Sequence, residues 1–367
     1  MPIHRPLESP HLLAGTRVEW IDAARGLSIV LVVTMHSTAI SADILGVRFP
    51  EPSAISWLND VAAPMRMPLL FLVAGLLAPR WTNRSWPELL SGRVAPLFWV
   101  YLVWQVLGAA LSLLRERYLG ILGLGRALDL VGITLSSPMR PQGVLWFLWV
   151  LCIFFVLARA TRSWPGWLRI GLPLLAGLCW PIAFAALPAP AADFLQPYAG
   201  VFVYGAFFAV GWVLSAHIVG WFSECGRAVA AIFVATWLVT ATVLALAEPA
   251  NAQDPAWFAI AGISVLGGLG LAVLLSRSYP LIAVGQNALQ IYVAHMQVLL
   301  AICLLVAAGG LSRMTRAVPI ATVLVLATAT VWISLWLYRA FSRTKWGRYL
   351  YRPPDAWIGV TEPSRSR

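Results

Sequence analysis

The chain has 367 residues, 60% of them hydrophobic and 11% charged, with a formal net charge of +11 and a mean hydropathy of +0.79. A soluble domain holds roughly 25% charged residues, so this composition excludes a water-facing globule and requires a surface that meets lipid. The positive excess is almost all arginine, Lys345 being the only lysine, and it falls in loops between apolar runs. That placement argues for membrane topology and against a nucleic-acid partner.

In lipid only helices and closed barrels satisfy their own backbone. The apolar runs here are long and continuous, without the two-residue alternation of barrel strands. The expected fold is therefore an all-α integral membrane protein, a polytopic bundle of about ten transmembrane helices. Residues 1–19 form a polar tail with Pro2, Pro6 and Pro10, and no short apolar stretch with a cleavage site precedes the first run, so no removable signal peptide is expected. The predicted spans then follow at 26–44, 61–78, 94–114, 144–159, 168–187, 198–216, 228–248, 256–276, 288–308 and 317–340. Each is close to the roughly 20 residues needed to cross a bilayer; the fourth and fifth are short or interrupted by proline. The longest connection, 115–143, carries an Arg126-Ala-Leu-Asp-Leu-Val stretch that reads as a short interfacial helix. The segment 341–367 is a basic, proline-containing tail, expected to lie on the membrane surface or remain disordered.

With a cytoplasmic N-terminus, 18 of the 26 lysines and arginines fall on the cytoplasmic side, and the loops after the fifth and seventh spans carry none. The positive-inside rule therefore puts both termini in the cytoplasm. Cys152, Cys179, Cys225 and Cys303 show no disulfide or zinc spacing and read as small packing residues. Gly262, Gly267, Gly268 and Gly270 read as close helix packing. No Walker or dinucleotide pattern occurs, and no metal site is expected. Asn83-Arg-Ser85 matches a glycosylation acceptor but falls in a loop placed on the cytoplasmic side. His4, His11 and His217 carry no signal.

The chemistry-bearing residues begin in the first span. Arg25 and His36 are 11 positions apart, close to three helical turns, so they share one face about 16 Å apart. Asp22 lies three residues before Arg25 on the same stripe. One helix thus offers an acid and a guanidinium near one boundary and an imidazole at depth. Ionisable groups in the membrane are costly and face a cavity or a partner, and histidine is the natural general base near neutral pH. The bland alternative has His36 bonding across helices while Arg25 snorkels to the interface. His295, flanked by Gln290, Tyr292 and Gln297, is the second intramembrane histidine; it serves either helix–helix hydrogen bonding or orientation of the acceptor or of His36. Arg66, at the start of the second predicted span, suits an acceptor sugar or a lipid phosphate. Trp146 reads as packing or an interface anchor.

The segment Trp20-Ile-Asp22-Ala-Ala-Arg25-Gly-Leu, followed after ten residues by His36, resembles the first helix of the membrane acyltransferase 3 family. Arg66-Met-Pro-Leu-Leu-Phe71-Leu-Val-Ala-Gly75 resembles its second span, Leu145-Trp146-Phe147-Leu148 its tryptophan-containing fourth, and Gly285-Gln-Asn287-Ala-Leu-Gln-Ile-Tyr292-Val-Ala-His295 its late Gly…Ile-Tyr…His helix. The matches run in order and cover about 20–340, which reads as one acyltransferase-like transmembrane domain; the second span is closest to a bacterial branch related to fucose O-acetylases. The chain departs from the pattern at Leu90, where many members carry the first arginine of an Arg-x-x-Arg pair completed here by Arg93; Arg84 or Arg80 could substitute in space.

The resemblance implies a bacterial cytoplasmic-membrane enzyme. It would move an acyl group, commonly acetyl, from cytoplasmic acyl-CoA (acetyl-CoA in the simplest case) to a hydroxyl of an envelope glycan or lipid-linked sugar. In that reading Arg25 and Arg93 bind the donor, with Asp22 holding Arg25. His36 works with Arg25 in catalysis, as base or as covalent carrier, and Arg66, His295, Tyr292 and Trp146 serve the acceptor. Two other readings stay open: a transporter or flippase for a lipid-linked or acidic solute, which buried Arg, His and Asp would suit equally well, and a family member that has lost activity. The absence of an internal repeat favours the enzyme over the transporter. The oligomeric state is left open.

Overall fold

A computed structural model describes residues 18–49, 53–247 and 256–357; the N-terminal reading of a missing signal peptide falls outside them. The protein is an all-α polytopic membrane protein, with no strand among the described residues and ten helical stretches long and apolar enough to cross a bilayer. All ten predicted spans overlap these stretches. The helices of at least eight residues are α1 Glu19–Ile40, α2 Ala54–Leu76, α3 Ala95–Tyr118, α4 Leu124–Ser136, α5 Trp146–Ala160, α6 Gly166–Ala185, α7 Ala199–Val213, α8 Ser215–Glu224, α9 Arg227–Ala247, α10 Trp257–Leu274, α11 Tyr279–Gln286, α12 Ala288–Ala308 and α13 Pro319–Ser342.

Helix α1 lies at the centre, packed against α2, α10, α11, α12 and α13, while α2 also packs along α7. Two glycines make the α1–α11 approach possible. A Cβ on Gly26 would run into the backbone oxygen of Leu281, and one on Gly285 into the backbone oxygen of Asp22. In lipid, where hydrophobic exclusion does not drive helices together, such small residues let dispersion contacts hold the pair. The other glycines divide. Gly267, Gly268 and Gly270 are closed in by Trp237, by Leu69 and Met65, and by Ala230, but Gly262 faces open space and packs against nothing. Cys152 and Cys303 are buried as packing residues, whereas Cys179 lies exposed on α6.

Three elements depart from the hydropathy reading. Helix α2 starts seven residues before its apolar run, because Ser53 and Ser56 form a reciprocal capping box and the first turns carry Asn59 and Asp60, which lower the local hydropathy without breaking the helix. Arg66 therefore lies midway along α2, between Pro64 and Pro68, and not at the start of a span. Each proline removes one in-helix donor.

The Gly285…His295 stretch, read as one helix, is broken at Asn287. Its N–H bonds to Val284 and its side chain to Ala283, closing α11, while its carbonyl accepts from Ile291 to begin α12. An asparagine side chain that bonds its own backbone competes with helix continuation.

The third departure is the basic tail, whose described part is neither disordered nor merely surface-bound. Residues 343–357 fold back on α3, where Trp99 donates to the Tyr349 carbonyl at 2.7 Å and Trp104 to that of Leu350 at 2.8 Å. The interfacial helix expected in 115–143 is α4, its Leu124, Leu128 and Leu135 exposed. It is tied to α3 by Arg126 donating to the buried Glu116 at 3.0 and 3.1 Å.

Candidate active site

The site is built on one face of α1 and completed by α2, α3, α11 and α12. At the Arg25 end, Asp22 is buried and accepts from Arg25, and the Gln286 amide of α11 sits 3.5 Å from the other Asp22 oxygen. The i, i+3 spacing on a helix brings the two charges together. The ion pair leaves Arg25 Nε buried without a partner, and Arg93 Nε is in the same state. Arg93 belongs to a five-residue π-turn, Leu90–Val94, that leads into α3, and its guanidinium lies over the Phe155 ring at 5.0 Å. Wide turns of this kind re-aim a side chain at the expense of regular helix geometry.

Arg25 and Arg93 share the lining of a cavity of about 180 Å³, whose other polar walls are Gln286, Gln290 and Tyr292 and whose apolar walls include Phe147 and Leu148. Leu90 does not contribute, and neither Arg80 nor Arg84 reaches the cavity. Arg84 instead lies over Trp81 and donates to the Arg80 carbonyl. Asp22 does not line the cavity either; it orients an arginine that does.

Tyr292 links the two ends of the site. It closes the cavity, and its hydroxyl donates to the Val144 carbonyl at the start of the fourth span. One turn further along α12 lies His295, fully buried, with Nδ1 2.5 Å from the Tyr292 carbonyl. A carbonyl can only accept, so Nδ1 carries the proton and Nε2 is left as an acceptor. That Nε2 is buried and unpartnered. The His295 ring centroid is 5.2 Å from that of His36. Two histidines far apart in sequence thus form a pair three residues along α12 from the cavity-lining Tyr292, about 4.5 Å along the axis.

On the other side of this pair, Arg66 bonds Asn59 at 3.4 Å, and Asn59 donates to Thr38 at 3.3 Å. Arg66 is also close enough to His36, Tyr204 and Asp60 to act on them electrostatically. Trp146 is not an isolated interface anchor. It packs with Phe71 and Tyr204 in an aromatic cluster, at centroid separations of 5.9 and 5.4 Å.

The structure therefore gathers Arg25, Arg93 and Tyr292 around one cavity and joins His36 to His295, with Arg66 alongside, while Trp146 lies outside that cavity in the cluster with Phe71 and Tyr204. Sequence reasoning missed Tyr204 and Asn59. Tyr204 is a lone polar residue in a continuous apolar run, and Asn59 lies outside the run that marked its span. Among the described residues no group of three His, Cys, Asp or Glu side chains is placed to hold a metal ion.

The profile of a family described as an acyltransferase domain matches residues 18–339, a stretch that contains every site residue named above. The inner membrane protein YcfT of Escherichia coli (strain K12) is 27% identical over 169 residues, which span 43% of this chain and 46% of that protein. The match thus covers about half the length of that relative. No solved structure matches the chain.

Proposed function

The chain belongs to the acyltransferase domain family, and from that premise we propose that it moves an acyl group, in the simplest case acetyl, from acyl-CoA across the bundle to a hydroxyl of an envelope glycan or lipid-linked sugar. The observation that carries this reading is the cavity lined by Arg25, Arg93 and Tyr292, the last of which lies three residues along α12 from the His36–His295 pair.

Several features support a CoA donor. The guanidinium groups of Arg25 and Arg93 line the cavity, and charge-assisted bonds from guanidinium to phosphate are among the stronger hydrogen bonds. The cavity, at about 180 Å³, is smaller than the roughly 300–1,000 Å³ that enclose drug-sized ligands. It suits the slim pantetheine arm and its thioester, with the nucleotide outside the mouth. The arginine distribution supports a cytoplasmic mouth and cytoplasmic termini, and the likeness to YcfT supports the inner membrane of a bacterium.

In the reaction, the acceptor hydroxyl oxygen attacks the thioester carbonyl carbon while its proton passes to the imidazole of His36. The tetrahedral centre collapses, the C–S bond breaks, and the proton on His36 goes to the departing thiolate. Withdrawing the proton in this way contributes roughly 10²–10⁴ in rate. His295 assists through its bare Nε2, which can accept from a His36 N–H and so hold the imidazolium formed in the step. Arg66, held by Asn59, supplies positive charge next to His36 for the oxyanion.

The test is transfer of labelled acetyl from acetyl-CoA by the purified protein in bacterial lipid vesicles containing envelope glycolipid. The proposal expects label in the glycolipid fraction that is released by mild base as an ester. Uptake of solute without any esterified label would overturn it in favour of transport.

A further inference from the structure

We propose that the cleft between residues 141–146 and 196–204 is the acceptor subsite and that it takes a neutral pyranose ring. The inference rests on the acyltransferase reading and adds the acceptor's chemistry to it.

The cleft has a volume of about 370 Å³, enough for one or two sugar rings, and is lined among others by Gln142, Gly143, Trp146, Gln196, Gly200 and Tyr204. Its mouth is polar and its floor aromatic. Gly143 and Gln196 at the rim are exposed, whereas Gly200 and Val203 at depth are buried. Trp146 stacks on Tyr204 with planes 28° and centroids 5.4 Å apart, and Tyr204 stacks in turn on Phe71, so the aromatic wall of the cleft is a braced stack that ends in Trp146. Gly200 permits this wall, since a Cβ there would strike the Trp146 ring. Two tethers hold the walls in place: Arg140 donates to the Asp193 carbonyl at 2.6 Å, and Tyr198 donates to that of Met139 at 3.2 Å.

This combination selects a ligand class. The electron-rich face of an aromatic ring attracts the polarised C–H bonds of a sugar's apolar face. Carboxamides such as Gln142 and Gln196 offer both donors and acceptors, which matches hydroxyls that do both. Among the described residues no charged side chain lines the cleft, and Arg140 and Arg66 nearby are engaged by the Asp193 carbonyl and by Asn59, so a phosphate or carboxylate entering it would lose hydration without a counter-charge in contact. The chemistry therefore favours a neutral ring over an acidic sugar or a lipid phosphate. Tyr204, which lines the cleft, stacks on Phe71 of α2 at 5.2 Å between centroids, so the cleft borders the helix that carries Arg66.

The experiment is saturation-transfer NMR on the protein in lipid nanodiscs. Methyl α-glucoside, methyl α-galactoside, methyl α-mannoside and methyl α-rhamnoside serve as neutral probes, glucuronate and glucose 6-phosphate as charged ones. At least one neutral glycoside should receive saturation, strongest at the C–H protons of one ring face. Trp146→Ala should weaken its binding roughly tenfold, about 1.4 kcal/mol, Trp146→Phe less, and Gln196→Leu several-fold, with acetyl-CoA binding kept in all three as the sign of a folded donor half. Saturation of no neutral glycoside by a wild type that binds acetyl-CoA would overturn the subsite while leaving the transferase reading intact. Equal or stronger binding of the charged sugars, or undiminished binding in both Trp146→Ala and Gln196→Leu, would overturn it as well. A wild type that binds no acetyl-CoA counts against the underlying reading instead.

Discussion

At the scale of single residues, three site groups each keep one buried bonding position without a partner: Arg25 Nε, Arg93 Nε and His295 Nε2. Arg25 gives one side of its guanidinium to Asp22 and keeps Nε, and Arg93 keeps its own. Replacing either by alanine removes charged hydrogen bonds worth about 1.5–3 kcal/mol each, so acetyl-CoA affinity should fall roughly 10- to 100-fold in a calorimetric titration. Asp22→Asn, which keeps the shape but not the charge, should weaken donor binding less than Arg25→Ala does, because Asp22 orients the arginine without lining the cavity. Part of this was legible in the sequence. The 11-residue spacing of Arg25 and His36 and the three-residue spacing of Asp22 and Arg25 are helix geometry, which a one-dimensional pattern encodes. The contacts of His36 with His295 and of Trp146 with Tyr204 were not, since they depend on how distant helices pack, and no periodicity within either helix carries that information.

At the scale of elements, α1 is held in place by a backbone-to-backbone approach to α11. Gly26→Val should force the two helices apart, since the added carbons meet the Leu281 carbonyl and not a movable side chain. Overpacking of this kind costs typically 1–3 kcal/mol, visible as a lowered Tm in detergent. Donor binding should fall with it, because Asp22 and Gln286 lie at that contact. A similar argument applies to the C-terminal segment. Loss of both indole donors in a Trp99→Phe, Trp104→Phe variant removes two hydrogen bonds worth about 0.5–1.5 kcal/mol each, and should expose residues 343–357 to limited proteolysis while the rest of the chain stays protected. Hydropathy found the ten spans because each is a long apolar run. It misplaced the start of α2, where the capping box extends a helix through polar residues, whereas its span at 288–308 begins where the break at Asn287 falls; the motif reading of Gly285…His295 as one helix is what passed over that break. Nor could hydropathy find the fold-back on α3, whose bonds run to backbone carbonyls that have no sequence signature.

At the scale of the whole molecule, the account is vectorial: a donor mouth at the Arg25 end, an acceptor cleft beyond the His36 end, and a bundle between them. The proposed orientation rests on arginine counts and has a direct check. In a cysteine-free variant of intact cells, a cysteine placed at Ser312 should react with an impermeant maleimide added outside and one placed at Ser163 should not; the reverse pattern would invert the topology. The central claim is the passage of the acyl group at His36. It is tested most directly by comparing His36→Ala with the wild type in lipid vesicles, with acetyl-CoA binding and labelled acetyl transfer measured on the same preparations. The account predicts donor affinity within about twofold of wild type and a loss of roughly 10²–10⁴ in transfer rate. Transfer at the wild-type rate by a variant that still binds donor would contradict it.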